Sequence, residues 1–277
     1  MNITEKYNPY GDIKKMDLTA NGVKSSAYSI HLETPLEDKP WKEVGVVGGD
    51  YLLVKNADAV SMLHDITDNS DMNWNEHRTF FNGRQFMYAM TTNDVTKEVA
   101  EGDFVGLGIA VWNSYDGSRR LQYEMFVNRL LCLNGMMSKK YFFNRKFKHD
   151  NTSSDWENDL IDITSVVNKS PERLETFANT CKKLLNPLRT QDLSVLRTDY
   201  VSQLPVTRFG NIMDEFLTDE EYINQTGWDF LNASTETLWH NKKPTVADYN
   251  NNQYMVDGIL SFSQDWIVND YDLINEA

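Results

Sequence analysis

The chain has 277 residues, enough for one large domain or two small ones and for a substantial buried core. Its 40% hydrophobic and 12% aromatic content, without any apolar run of about 18 residues, excludes both a disordered chain and a membrane-spanning bundle. The formal charge of -14 by itself argues against a nucleic-acid protein, because neutralising phosphates takes Lys and Arg.

The first 40 residues are polar and interrupted by Pro9, Gly11, Gly22, Pro35 and Pro40, which reads as a mostly irregular arm; the fold is expected to begin near Trp41. Tyr51 to Val54 is a short apolar run after Gly48-Gly49 and predicts a strand. Asn56 then caps a helix to about Ile66, with Val60, Leu63 and Ile66 at helical spacing. Residues 67–77 are loop by composition. Phe80-Phe81, the Asn82-Gly83 pair and Gln85 to Thr91 predict a hairpin. A longer hairpin follows: Phe104 to Asn113 alternates, Asp116-Gly117 turns, and Arg119 to Arg129 returns with Leu121, Tyr123, Met125 and Val127 on one face. Leu130 to Lys140 reads as helix or helical turn, and Tyr141 to His149 as a further strand.

Helical signals take over from residue 152. Ser154 with Glu157 and Thr218 with Glu221 have capping-box spacing. Ser170-Pro171 starts a helix to about Asn186, another spans Gln191 to Gln203, and Gly227 to His240 places Trp228, Leu231, Leu238 and Trp239 on roughly one side. The expected class is α+β: an antiparallel sheet over residues 41–150 with packed helices, then a helical, acidic part over 151–277, either as one domain with the sheet or as two.

Signatures of enzymes are missing: there is no P-loop, GxGxxG, GxSxG or HExxH. Five histidines are scattered without paired spacing, and the His64-Asp65 and His149-Asp150 dipeptides are unsurprising in an Asp-rich chain. Glu37-Asp38-Lys39 fits a nuclease E-x-K only outside the strand that motif requires. The acids Asp214, Glu215, Asp219, Glu220 and Glu221 suit a solvated helix start, where they complement the dipole. Cys132 in its apolar setting reads as a packed thiol. Cys132 and Cys181 have no CxxC spacing, which excludes a disulfide scaffold and a cysteine zinc module. With no basic-then-apolar start, the expected compartment is the cytoplasm. No catalytic residue, cofactor or metal is expected.

Charge is unevenly spread. From Arg119 to His149 eight basic residues stand against one acid, Glu124, whereas from Phe209 onward thirteen acids stand against Lys242 and Lys243. Screening acts over about 8 Å at physiological salt, so a local basic band keeps a positive field inside an acidic frame. Within Lys139 to His149 (KKYFFNRKFKH), cations interleave with aromatics. Cations follow a phosphate backbone, while aromatic faces stack on bases left exposed in a single strand, at about 1–3 kcal/mol each. The candidate nucleic-acid-binding residues are Arg119, Arg120, Arg129, Lys139, Lys140, Tyr141, Phe143, Arg145, Lys146 and Lys148. A structural reading competes with this one, in which Tyr141, Phe143 and Phe147 are core and the lysines protect a sheet edge.

The hairpin and its sequel resemble a family of uncharacterised phage and plasmid proteins with an N-S-x-D-G-S turn followed by R-x-x-C-x-N. Those positions are Asn113, Ser114, Asp116, Gly117 and Ser118, then Arg129, Cys132 and Asn134. Gly49-Asp50-Tyr51 with Asn56, and Trp228, Asn232, Ala233 and Thr235, extend the resemblance over roughly residues 41–240. It implies a phage or mobile-element origin. All three of Asn113, Ser114 and Asp116 are also turn formers, and Arg129 and Asn134 equally suit a structural role.

In topology, three antiparallel strands followed by a helix beside a basic groove are similar to the core of the Red-beta-like single-strand annealing recombinases. That resemblance implies a ring or filament of copies holding single-stranded DNA without catalysis in an infected bacterial cytoplasm, with a phage exonuclease or single-strand-binding protein as partner. Two alternatives stay open: an acidic interaction protein that engages a host protein by imitating DNA, and a metal-dependent nuclease or phosphohydrolase. If the acidic end competes for the groove, removing residues after Asn241 should tighten binding.

Overall fold

The computed structural model describes residues 7–34, 40–131, 135–149, 156–219, 224–239 and 245–275. The architecture is α+β, with antiparallel sheets followed by C-terminal helices. The strands are β1 (Ile13–Ala20), β2 (Val23–Glu33), β3 (Trp41–Val47), β4 (Asn75–Phe81), β5 (Gln85–Ala100), β6 (Asp103–Ser114), β7 (Leu121–Arg129), β8 (Gly135–Met136) and β9 (Asn144–Phe147). The helices are α1 (Asn56–Asp68), α2 (Trp156–Asn168), α3 (Ser170–Lys182), α4 (Thr190–Val195), α5 (Val206–Thr218), α6 (Gly227–Trp239) and α7 (Val246–Asn275). One sheet has the order β1-β2-β3; the other runs β4-β5-β6-β7-β8, with β9 also pairing β7. Two compact units result: Met1–Thr92 with Ile109–Met125 and Phe143–Lys169, and Asn93–Gly108 with Phe126–Phe142 and Ser170–Ala277.

Several expectations need correction. In place of an irregular arm over residues 1–40, β1 and β2 form a hairpin. Its turn is Asn21-Gly22, with φ of 52° and 77°, and Ala20 pairs with Val23 across it. Positive φ at both central residues defines the turn whose twist matches two antiparallel strands, and Asn-Gly adopts it at least cost. Tyr51 to Val54 is not a strand, because the Tyr51 ring packs on His149 and the Leu52 amide bonds the His149 carbonyl at 2.9 Å. Asn56 starts α1 but does not cap it; its side chain donates to the Pro9 carbonyl instead. Among the described residues of Leu130 to Lys140 none is helical; the segment contains β8, which pairs Val127 with Met136. Tyr141 precedes β9 and lies in a turn. Thr218 ends α5, where its hydroxyl donates to the Asp214 carbonyl. Glu37 to Lys39, Cys132, Asn134, Ser154, Glu220, Glu221 and His240 lie outside the described residues.

In the first unit α1 buries Ala59, Leu63 and Ile66, and the Tyr123 hydroxyl donates to the Ala59 carbonyl at 3.2 Å. Phe81 meets Phe86 and Tyr115 edge-on. The β2 residues Ile30 and Leu32 are fully buried, which explains the alternation of Tyr28, Ile30 and Leu32.

The second unit is organised around a buried charge. Arg129 Nε donates to both Asp103 carboxylate oxygens at 3.0 Å, and the Trp228 indole donates to Asp103 Oδ2 at 2.8 Å. The same helix brings Trp239 against β8: a Cβ on Gly135 would lie 2.5 Å from its ring, so only glycine fits there. Helix α7 is core, with Tyr249, Met255, Val256 and Leu260 buried, and Asn252 binds both the Gly135 carbonyl and the Met137 amide. Removing residues after Asn241 therefore strips a packed helix, which corrects the expectation of a removable acidic tail. The shortened chain should lose cooperative unfolding in urea. Asp103→Ala leaves Arg129 buried without its counter-ion and should cost about 3–5 kcal/mol in urea unfolding. A loss below about 1 kcal/mol would contradict this account of the second unit.

Candidate nucleic-acid interface

The turn between β6 and β7 is held from within the first unit. Asp116 Oδ1 accepts the Ser118 amide at 3.0 Å, an Asx turn, and Gly117 takes the left-handed φ of 71°. Ser114 closes the loop: its hydroxyl donates to the Arg119 carbonyl at 2.8 Å and accepts the Arg119 amide at 3.0 Å. Ser118 Oγ accepts from Gln85 Nε2 at 2.8 Å. Below the turn, Asn113 Nδ2 donates to the Val54 carbonyl and to Asn56 Oδ1, each at 2.9 Å, and the Tyr51 hydroxyl donates to the Ser114 carbonyl at 2.6 Å. The turn motif thus explains itself as structure, binding Tyr51 and Asn56 to the hairpin. His149 stacks on Tyr51 with centroids 4.7 Å apart, and its Nδ1–H donates to the Leu52 carbonyl at 3.0 Å.

The basic candidates divide sharply by burial. Arg129 is 6% exposed and belongs to the Asp103 pair, which corrects its assignment to phosphate binding. Arg119 lies over the Trp112 ring at 3.7 Å, and its Nη2 is 3.8 Å from Glu124 Oε1, with the Arg side chain 12% exposed. It too is occupied internally. Glu124 sits wholly inside, accepting Asn144 Nδ2 at 2.7 Å and Gln122 Nε2 at 2.5 Å. Burial raises its carboxyl pKa, against the opposing pull of Arg119 and the hydrogen bonds. Tyr141 is buried, donating to Thr180 Oγ1 at 3.1 Å and meeting Phe177 edge-on, so it offers no stacking face, another correction.

Arg120, Arg145, Lys146 and Lys148 are exposed in the first unit. The register explains their proximity. Leu121 pairs with Phe147, Gln122 with Lys146 and Tyr123 with Arg145, so Arg120 and Lys148 are the next residues outward on the two chains. In the second unit Lys139 and Lys140 are exposed, with the Lys139 amide near Asp257 and Lys140 Nζ on Gln264 at 2.7 Å.

Beside β9 lies a cleft of about 440 Å³, within the range of about 300–1,000 Å³ for small-ligand sites. Phe143, Asn144 and Arg145 form one wall; Asp162, Ile163, Ser165 and Val166 of α2 form the other. Sequence reasoning found Phe143 and Arg145 but not the α2 residues, since nothing in a helical stretch announces which strand it will face. Among the described residues no group of His, Cys, Asp and Glu is placed to hold a metal, and no helix is long and apolar enough to cross a membrane.

A family model described as "Domain of unknown function (DUF932)" matches residues 43–260. The chain belongs to the DUF932 family. The DUF932 domain includes the whole hairpin, the cleft and the first half of α7. No curated protein matches the chain, and no solved structure does.

The core around Tyr51 and β7 has a pH signature. Burial lowers the His149 pKa below its ordinary 6.5, so the stability lent by the neutral ring is present above that value and is lost as pH falls. Glu124 acts with opposite sign: its raised carboxyl lends most stability in acid and loses it as pH rises through the folded value. His149→Phe keeps a ring against Tyr51 but does not titrate. Between roughly pH 7.5 and 5 the native protein should lose more unfolding free energy than this variant, and parallel curves would contradict the assignment.

Proposed function

We propose that this DUF932 domain binds single-stranded DNA along the β9 edge and promotes strand annealing in phage recombination. The observation that carries the reading is the cleft lined by Phe143 and Arg145 at an edge strand on which Arg145 and Lys146 are exposed, with exposed Lys148 just beyond its end. Phosphates follow the exposed cations, including Arg120, and an unpaired base enters the cleft to stack on Phe143. The chemistry needs no catalytic residue: base pairing supplies the driving force, and the protein neutralises phosphates and keeps bases accessible. The N-S-x-D-G-S resemblance motivates a phage or plasmid origin, and the likeness of the sequence-expected topology to annealing recombinases motivates a ring or filament of copies that works with an exonuclease or a single-strand-binding protein.

An acidic DNA mimic is less well supported. Acids that it would present are used inside the second unit: Asp248 pairs with Arg208 at 2.6 Å, and Asp257 accepts the Ser138 hydroxyl at 2.5 Å.

Changing Lys146 and Lys148 together to Glu should weaken binding of an oligonucleotide and flatten its salt dependence by about 1.4 log units per log unit of salt, or about 0.7 for each phosphate that is no longer neutralised. Unaltered affinity and slope would remove β9 from the interface.

A further inference from the structure

The cleft beside β9 contains an acid that phosphate binding does not explain. Asp162 lies on α2 in the wall facing Phe143 and Arg145. A carboxylate in a phosphate path is repulsive, whereas a carboxylate beside an aromatic ring and a guanidinium is a common way to read a base edge. The three side chains offer complementary functions: Phe143 a face, Arg145 a fork of donors, and Asp162 two acceptor oxygens.

The pattern discriminates among the bases. Guanine carries two adjacent donors, N1–H and N2–H, that match a carboxylate, and on its other edge the acceptors O6 and N7 that match an arginine fork. Adenine and cytosine each offer one amino group next to an acceptor, which a carboxylate repels. Thymine offers a single N3–H between two carbonyls. The Watson–Crick edge of guanine is free only when the base is unpaired, which agrees with a ligand that is not duplex. Val166 and Ile163 supply apolar wall beside these groups, as small-ligand sites generally do.

We propose that the cleft formed by Phe143, Arg145 and Asp162 is a guanine pocket. The inference rests on the single-strand reading for the origin of that base, although the same chemistry would take a free guanine nucleotide.

The test uses the full chain and labelled oligo-thymidine 20-mers carrying at the centre dT, dA, dC or dG, with guanosine monophosphate titrated separately by calorimetry. The expected result is that the single dG tightens binding by about tenfold over dT and that Asp162→Ala erases this preference. Equal affinity for all four strands, with no saturable heat from guanosine monophosphate, overturns the guanine pocket while leaving strand binding in place. Failure to bind any strand, with saturable guanosine monophosphate binding that Asp162→Ala abolishes, keeps the pocket and removes the single-strand reading. Failure to bind either ligand overturns both. A dG preference that survives in Asp162→Ala overturns the role of Asp162, and the circular dichroism of that variant, expected to match the native chain because the residue is exposed, excludes misfolding as its cause.

Discussion

Every residue of β7, from Leu121 to Arg129, is buried, and the strand nevertheless carries Gln122, Glu124, Asn128 and Arg129. An ionised group can persist in such a place only with a counter-ion and hydrogen bonds, because desolvation alone costs several kcal/mol per ion. Much of the surrounding structure answers that demand. Asp103 and Trp228 enclose Arg129, while Arg119, Gln122 and Asn144 gather around Glu124. The turn that places Arg119 is in turn fastened by Asn113, Ser114 and Tyr51.

The same demand sorts the basic band. Arg119 and Arg129 are consumed as internal counter-ions, so a count of cations in the sequence overstates the charge available to a ligand. The cations of the band that are exposed in the first unit are Arg120, Arg145, Lys146 and Lys148, around β9. Lysines on an edge strand also discourage pairing with another sheet, and that protective role and phosphate binding place the charges alike. The strand-binding proposal rests on the adjoining cleft, which an aromatic ring, a guanidinium and a carboxylate line together.

The sequence revealed the fold class, the long hairpin at Asp116-Gly117, helix α1 and the helix from Gly227, since each is written in local periodicity and turn chemistry. The Asn21-Gly22 pair carried the same information as Asn82-Gly83 but stood in a polar stretch, where Lys14, Lys15 and Asp17 break up the apolar residues Ile13, Met16 and Leu18 of β1. Tyr141 shows the opposite difficulty: alternation placed it with Phe143 and Arg145, yet its hydroxyl is bound to Thr180, 39 residues away. The partnership of Arg129 with Asp103 spans 26 residues and that of Trp228 with Asp103 spans 125, so neither was legible from spacing. The α2 wall of the cleft was invisible for the same reason.

The most direct test of the central claim is the fluorescence anisotropy of a labelled oligo-thymidine and of a duplex of equal length, titrated with the full chain across a salt series. The account predicts salt-dependent binding that clearly favours the single strand, because bases must be unstacked to reach Phe143 while phosphates alone would hold either form. Absence of binding to both at low salt, or an equal preference for duplex, would contradict it and leave the β9 cations as protection for a sheet edge.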